Sequence, residues 1–526
     1  MHDNHVSMKN NPDMKKASLI IPLLLAILFP LLLHRQQAGL NVLLFDAVIT
    51  GLLLFTKRIK IARSLNMLLC SGVMLSGLMV LIYGSTLAVA ANVVSLILLT
   101  GSLALPDMAV LLNGFMASVA AVITGPFRYL GAWNQSISKS HRWQHWIRFG
   151  GFVIVPIIIL IIFILLYSAA SPYFNKLTGN FVQMLVNLNQ WIATFISPDA
   201  FWIGIAGLFI GFSLFYGKFP FQIKLLGETG NDEQKRVKSK YSGSILGLKT
   251  EAKTAILMFV LLNLLIAVMN VLDLYYVWFN FEWDGGFLKQ FVHEGTWLLI
   301  LSIFISMSLV LWYFRGNLNF FSRNRSLIIL TRIWLAQNAL LTLSVAMRNY
   351  WYLHYFNLAF KRIWVFAFLV LVLLGLLTVM LKVERKKSLR YLLIRNSLFA
   401  YCVFMVLSLF NWDVIIARFN VNRSEKAFFH TNFMMSLHSS ALPVLLMDDQ
   451  KLQSTEVAQK KLYPYHGRYM SLVKYNNVIR ERKRNFLAGY PQMHWLSFTV
   501  ADYRTSQKLM RTQSGSARVP AITPAE

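Results

Sequence analysis

The sequence predicts an all-α fold: a polytopic transmembrane helical bundle of about eleven spans, with amphipathic interfacial helices and a small C-terminal extramembrane helical region. Three observations lead there. Hydrophobic residues fill 56% of the 526 positions and charged residues 14%, too little polar surface to cover a water-soluble core of this size. Runs such as Phe149–Ala170 and Ile363–Leu381 carry no charge over about 20 residues, the length at which a helix crosses a hydrocarbon layer. They lack the alternation of a membrane strand. The formal charge of +29 falls mostly in short loops between such runs, where topology selection and anionic headgroups favour it.

The elements follow in order. Residues 1–18 are polar, begin the chain with no small-residue cleavage site, and are read as a cytoplasmic tail before an uncleaved first span. The bundle, residues 19–412, holds spans at Leu19–Leu33, Leu40–Thr56, Leu65–Tyr83, Thr86–Leu103, Phe149–Ala170 and Phe201–Gly217. It continues through Thr254–Phe279, Thr296–Phe314, Ser326–Met347, Ile363–Leu381 and Leu392–Trp412. A twelfth run, Met108–Phe127, is interrupted or bounded by Asp107, Asn113 and Pro126. Charge decides its placement. If it crossed, either the Lys57 loop or the Arg128 loop would face outward. If it lies in the interface, every basic cluster is cytoplasmic, so it is expected not to cross. The N-terminus is then inside, and the chain leaves its last span outside. The acidic stretch "FEWDGGFLKQFVHEG" falls on the outer side, as does Ser171–Ala200. There Phe174, Leu177, Phe181, Leu185, Leu188, Ile192 and Phe195 recur at helical spacing, an amphipathic surface helix.

Beyond Trp412 the composition changes. Residues 413–510 contain no spanning run and are read as extramembrane and helical, with a short helix pair around Pro443 and a basic helix in "GRYMSLVKYNNVIRERKRNFLAGY". Residues 511–526 form a polar tail expected to be disordered. No internal repeat supports a repeat-built transporter.

Several residues can carry chemistry. Asp46 lies mid-run, where a carboxylate needs a partner, a proton or water. Arg332 enters the Ser326 span about two turns deep and poses the same problem, with Gln337 and Asn338 on neighbouring turns. Asn270 and Asp273 stand near the outer end of their span, at a solvated interface or an ion site. His293 and Glu294 begin a span; Glu294 complements the helix dipole, or the two form a titratable pair at a membrane mouth. Arg315 and Asn317 in "FRGNLNFFSRNR" sit with Arg323 and Arg325 in a loop suited to lipid phosphates or a phosphate-bearing substrate. In "MRNYWYLHYFNLAFKRIW", Arg348, His354, Lys361 and Arg362 crowd an aromatic belt on the side where short-loop cations are disfavoured. They are expected to converge on acidic partners such as Glu282, Asp284, Glu294 and Asp413, or to snorkel separately to phosphates. Asp413 and Arg418 just past the last span fit a turn closed by a salt bridge.

"QFVHEGTWLLILSIFIS", "FRGNLNF", "IWLAQN", "RNYWYLHYFNLAFKRIWV" and "NWDVIIARFN" together resemble a family of bacterial multi-pass membrane proteins described as a domain of unknown function. The matching positions are His293 and Gly295, Phe314–Phe320, Tyr352, Leu358, Arg362 and Ile363, then Trp412, Asp413 and Asn420; Ala359 stands where the family pattern has threonine. The resemblance covers about Phe281–Asn420 closely and implies a membrane protein without implying an activity.

Cys70 and Cys402 both lie in predicted spans, which excludes a disulfide framework and a cysteine metal site. There is no Walker-type Gly-rich Lys loop, no His-Glu-x-x-His and no Gly-x-Ser-x-Gly. No catalytic set, metal or cofactor is expected. Nor is nucleic acid a partner, because the basic loops contain no reading module. Membrane lipids are the expected partners of the basic loops, and the C-terminal region is a possible protein-docking element. The expected function is transport or envelope support through a polar intramembrane cluster. A membrane scaffold or sensory partner is the alternative, and a lipid-modifying enzyme the third reading.

Overall fold

The computed structural model describes residues 12–59, 64–106, 108–137, 197–219, 227–228, 230–236, 245–281, 287–314, 317–463 and 470–516, with single positions between 164 and 190. Among the described residues there is no strand, and one isolated bridge joins Glu233 to Lys387. The fold is an all-α multi-pass membrane bundle. Among the described residues eight helices are long and apolar enough to cross a membrane, rather than about eleven. Three further helices have described apolar stretches of 10–17 residues, Leu19–Leu33, Leu40–Phe55 and Trp297–Tyr313; the first and third lie in helices that begin earlier, at Pro12 and Phe287. The expected span Phe149–Ala170 and the amphipathic segment within 171–196 lie almost wholly outside the described residues. Conversely, Asn113–Trp133 has the length and composition of a span, where the charge argument expects an interfacial helix. Asn113 opens this helix instead of interrupting it, and Pro126 is accommodated inside.

The chain forms two compact units. The first comprises residues 1–224 with 493–500. Its helices are α1 (Pro12–Leu33), α2 (Leu40–Phe55), α3 (Ser64–Tyr83), α4 (Thr86–Ala104), α5 (Asn113–Ile137) and α6 (Pro198–Tyr216). Sequence neighbours α2–α3, α3–α4 and α4–α5 pack together, and α6 packs along α1 and α5. Small residues set the closest approach. On α6, Gly207 lets Phe29 and the Leu25 carbonyl in to 2.5 and 2.6 Å of where a Cβ would stand, and Gly211 does the same for Pro22 at 2.8 Å. Lipid offers no hydrophobic drive between helices, so this backbone-to-backbone packing carries their association. The α2 entry is fixed by Asn41, whose Oδ1 accepts from the Gly39 and Val42 amides while Nδ2 donates to the Leu32 and Gln37 carbonyls. The Leu40 amide donates to the Phe498 carbonyl at 3.0 Å, which ties the remote segment 493–500 into this unit. Arg58 donates to the Leu214 and Gly217 carbonyls at the end of α6, a C-terminal cap.

The second unit comprises residues 225–492 and 501–526. It contains α7 (Ile245–Asp273), α8 (Phe287–Tyr313), α9 (Arg325–Phe356), α10 (Phe360–Glu384) and α11 (Leu389–Ser408). α9 is central, packed by α7, α8 and α10. Phe259, Ile303, Val310, Phe314 and Leu327 are fully buried in its core. The C-terminal helices α12 (Trp412–Asn422), α13 (Thr431–Met435), α14 (Leu442–Leu445), α15 (Asp449–Leu462), α16 (Leu472–Gly489) and α17 (Val500–Ser516) follow. Their core of Ile416, Phe429, Leu445, Leu472, Tyr475 and Ile479 also takes in Leu358, Phe360 and Ile363. This region therefore closes over the α9–α10 connection. Pro443 falls in α14 and the basic helix is α16, as the sequence pattern predicts.

Candidate functional site

Each unit buries a carboxyl deep among its apolar helices. In the first unit Asp46, on α2, is 0% exposed. Its Oδ2 accepts from Asn92 Nδ2 of α4 at 2.6 Å, and the same amide reaches Ser76 Oγ of α3 at 3.2 Å and the Val73 carbonyl at 3.3 Å. Asp46 Oδ1 has no hydrogen-bond partner, and neither does the buried Oγ1 of Thr50, one turn along the same helix. Three helices thus meet on one carboxyl. Gly77 makes room for it: a Cβ there would stand 2.2 Å from Asp46 Oδ2. Among the described residues no cation pairs with Asp46. A carboxylate here would be an uncompensated charge in a low-dielectric interior, whereas the protonated acid is neutral and keeps the Asn92 bond.

In the second unit Asp273 and Arg348 form an ion pair at 2.5 Å, with side chains 4% and 6% exposed. Asp273 ends α7, and a π-helical turn, Leu274–Phe279, follows it at once. Such turns shift the side-chain register and recur at functional sites. Two indoles hold this one: Trp278 Nε1 donates to Ser344 Oγ at 3.1 Å, and Trp351 Nε1 donates to the Val277 carbonyl at 2.7 Å. Deeper along α7 and α9 runs an amide ladder. Gln337 donates to Asn263 Oδ1 at 2.8 Å, Asn263 to the Leu330 carbonyl, and Asn270 to the Gln337 carbonyl. Asp273 is therefore a buried partner of Arg348, where the sequence left a solvated interface open.

The other sequence-selected residues are dispersed. Arg332 meets Glu384 at 2.6 Å on a half-exposed face, and its guanidinium is 51% exposed. Asn338 is fully buried and donates within its own helix to the Trp334 carbonyl. His354 accepts Arg423 at both its carbonyl and its ring. Arg362 caps α9 by donating to the Phe356 and Asn357 carbonyls, its guanidinium 4.5 Å over the Tyr352 ring. Lys361 is exposed. Thus Arg348, His354 and Arg362 each take a separate partner. Asp413 accepts the His438 amide at 2.9 Å, while Arg418 on the same helix is exposed; the two do not pair. The side chains of His293, Glu294, Arg315 and Asn317, and those of Glu282 and Asp284, lie outside the described residues. Asp46 belongs to one unit and Arg332, Asn338 and Arg348 to the other.

The signature residues read as a clasp. Asn420 of α12 accepts the Leu358 amide at 2.8 Å and donates back to the Leu358 carbonyl at 2.9 Å. Asn357 adopts a left-handed φ of 62° and donates to the Phe428 carbonyl. Tyr463 Oη donates to the Tyr355 carbonyl at 2.9 Å, and burial pushes its phenol up to about 12, so it remains a donor. Together with Arg362 over Tyr352 these bonds fasten the α9–α10 turn to the C-terminal helices. Asn92 and Ser76 went unselected in the sequence. Small polar residues at a helical spacing in apolar runs were the available signal, shared with many residues that merely pack.

No curated protein and no solved structure matches the chain. The chain belongs to the family described as a domain of unknown function (DUF4153), whose profile matches residues 47–447.

Proposed function

We propose that the chain is a proton-linked transport protein of the bacterial cytoplasmic membrane, with Asp46 as its protonatable carrier group. The observation that supports this is the fully buried Asp46 carboxyl, bonded through one oxygen to Asn92, with its other oxygen unpartnered and no cation paired with it among the described residues. A group held by an amide can gain or lose a proton without losing that partner. An ion pair such as Asp273–Arg348 cannot, because protonation removes the charge that holds it. Ionisable groups of this kind inside membrane helices mark ion and proton paths. The basic loops support an N-terminus on the inner side.

The test is proton flux into proteoliposomes of the full chain, read by an entrapped pH dye under an imposed potential. The wild type should conduct, and Asp46→Asn should abolish flux while leaving the thermal midpoint within a few degrees. Equal flux from both proteins, or none from the wild type, overturns the reading.

A further inference from the structure

The second unit carries a cleft of about 840 Å³ unrelated to Asp46 or to the Asp273–Arg348 pair. Residues 230–235, α8, the end of α10 and the start of α11 line it. Its walls differ in character. Leu311, Trp312 and Leu389 give an apolar side, with Trp312 and Leu389 61% and 49% exposed on helices of the spanning bundle. Lys382, Lys235 and Ser308 are among the cleft's polar lining residues.

The charge within the cleft is unbalanced. Lys382 is 4% exposed, yet its ammonium has a single acceptor, the Phe314 carbonyl at 3.3 Å. The nearby acids are already committed: Glu233 pairs with Lys387 at 3.3 Å and Asp232 with Arg390 at 3.2 Å. Among the described residues neither Lys382 nor Lys235 has a carboxylate partner. A buried ammonium bonded once keeps two hydrogens and a full charge to satisfy, and an anion satisfies both. The frame around it is built. Gln234 donates to the same Phe314 carbonyl at 3.1 Å and accepts from Asn319, fully buried, at 3.2 Å. The Phe314 carbonyl and Asn319 thus hold Gln234 and Lys382 in place.

We propose that this cleft is a phospholipid site: the headgroup phosphate of an anionic phospholipid bonds to Lys382, with Lys235 at the mouth, and an acyl chain runs along Trp312 and Leu389. Charge selects the headgroup. The exposed apolar wall selects a lipid over a soluble phosphate, because a free anion gains nothing from it. Lysine suits this task as a compact point charge with three donors.

The experiment measures binding of a fluorescent phosphatidylglycerol and a matching phosphatidylcholine to the full chain in dodecyl maltoside. The wild type should prefer phosphatidylglycerol, and Lys382→Met should cut that preference about tenfold, the equivalent of about 1.4 kcal/mol. Lys235→Gln and Leu389→Glu alter exposed positions and keep the test decisive if Lys382→Met fails to fold. The first should weaken the preference for phosphatidylglycerol, and the second should weaken both lipids. Unchanged preference in Lys382→Met, or in Lys235→Gln when the former does not fold, overturns the site. Displacement of phosphatidylglycerol by millimolar inorganic phosphate overturns the lipid as its occupant.

Discussion

Asp46 in the first unit and Asp273 in the second are both buried carboxyls, and they are satisfied differently. Asp46 meets an amide, a hydroxyl behind that amide, and the space left by a glycine. Asp273 meets a guanidinium and sits beside a π turn braced by two indoles. Both side chains are almost wholly buried, so the difference lies in the partner. A buried ion pair is a matched set, and removing one member strands the other's charge. A carboxyl held by an amide is tolerant of its own protonation state. The first arrangement suits a group that must exchange something; the second suits one that must stay put.

That contrast can be broken most severely at Arg348. Replacing Arg348 with Met leaves Asp273 buried without its cation, and the expected loss is about 3–5 kcal/mol. Thermal unfolding in detergent measures it. Adding Asp273→Leu should recover most of the loss, and failure to recover would mean that the pair is not the cause. A smaller effect is expected in the first unit. Gly77→Ala forces a methyl into the space of Asp46 Oδ2, an overpacking cost of about 1–3 kcal/mol. The same alanine in an Asp46→Ala background should cost less, because the obstructing atoms are gone; an equal cost in both would place the strain elsewhere.

The smallest effect lies outside both centres and sharpens them by contrast, since it is a titration that should move stability alone. His430 Nδ1 accepts the Phe433 amide at the start of α13. Burial, with Arg362 nearby, holds its imidazole below the ordinary value of 6.5. The folded chain then binds fewer protons than the unfolded chain between the lowered and the ordinary value. The histidine's contribution is intact above about pH 6.5 and is lost as pH falls through that window. A His430→Asn variant keeps a capping acceptor and should show a flatter thermal midpoint between pH 7 and pH 5. An unchanged slope would remove His430 as the cause, and altered proton flux would link it to Asp46 against expectation.

Some of the site was legible in the chain. Asp46 stands out because a carboxylate in the middle of "LLFDAVITG" has no solvent to turn to. Arg348 stands out as a cation at the end of an apolar run, among aromatic residues. Their partners did not. Asn92 lies 46 residues from Asp46, and Asp273 lies 75 from Arg348, with nothing local to mark either. Arg332 shows the converse: depth along the helix predicted a buried cation, but its guanidinium is 51% exposed and bonded to Glu384, because the face of a helix is set by neighbours and not by depth. The span count erred for a similar reason. Hydropathy marks where a run is apolar and not where its helix ends: α1 and α8 extend over 22 and 27 residues, past apolar stretches of 10–17 described residues.

The sequence by itself determined the class: an all-α membrane chain, its apolar helices, and its family. These follow from composition and from period, which act within a few residues. Only the tertiary structure decided that Asn420 clasps Leu358, that segment 493–500 joins the first unit, and that Asp273 is paired while Asp46 is not. Each of those depends on which helix faces which, and in lipid that choice is made by close packing at residues such as Gly77 and Gly207 and by hydrogen bonds between distant helices.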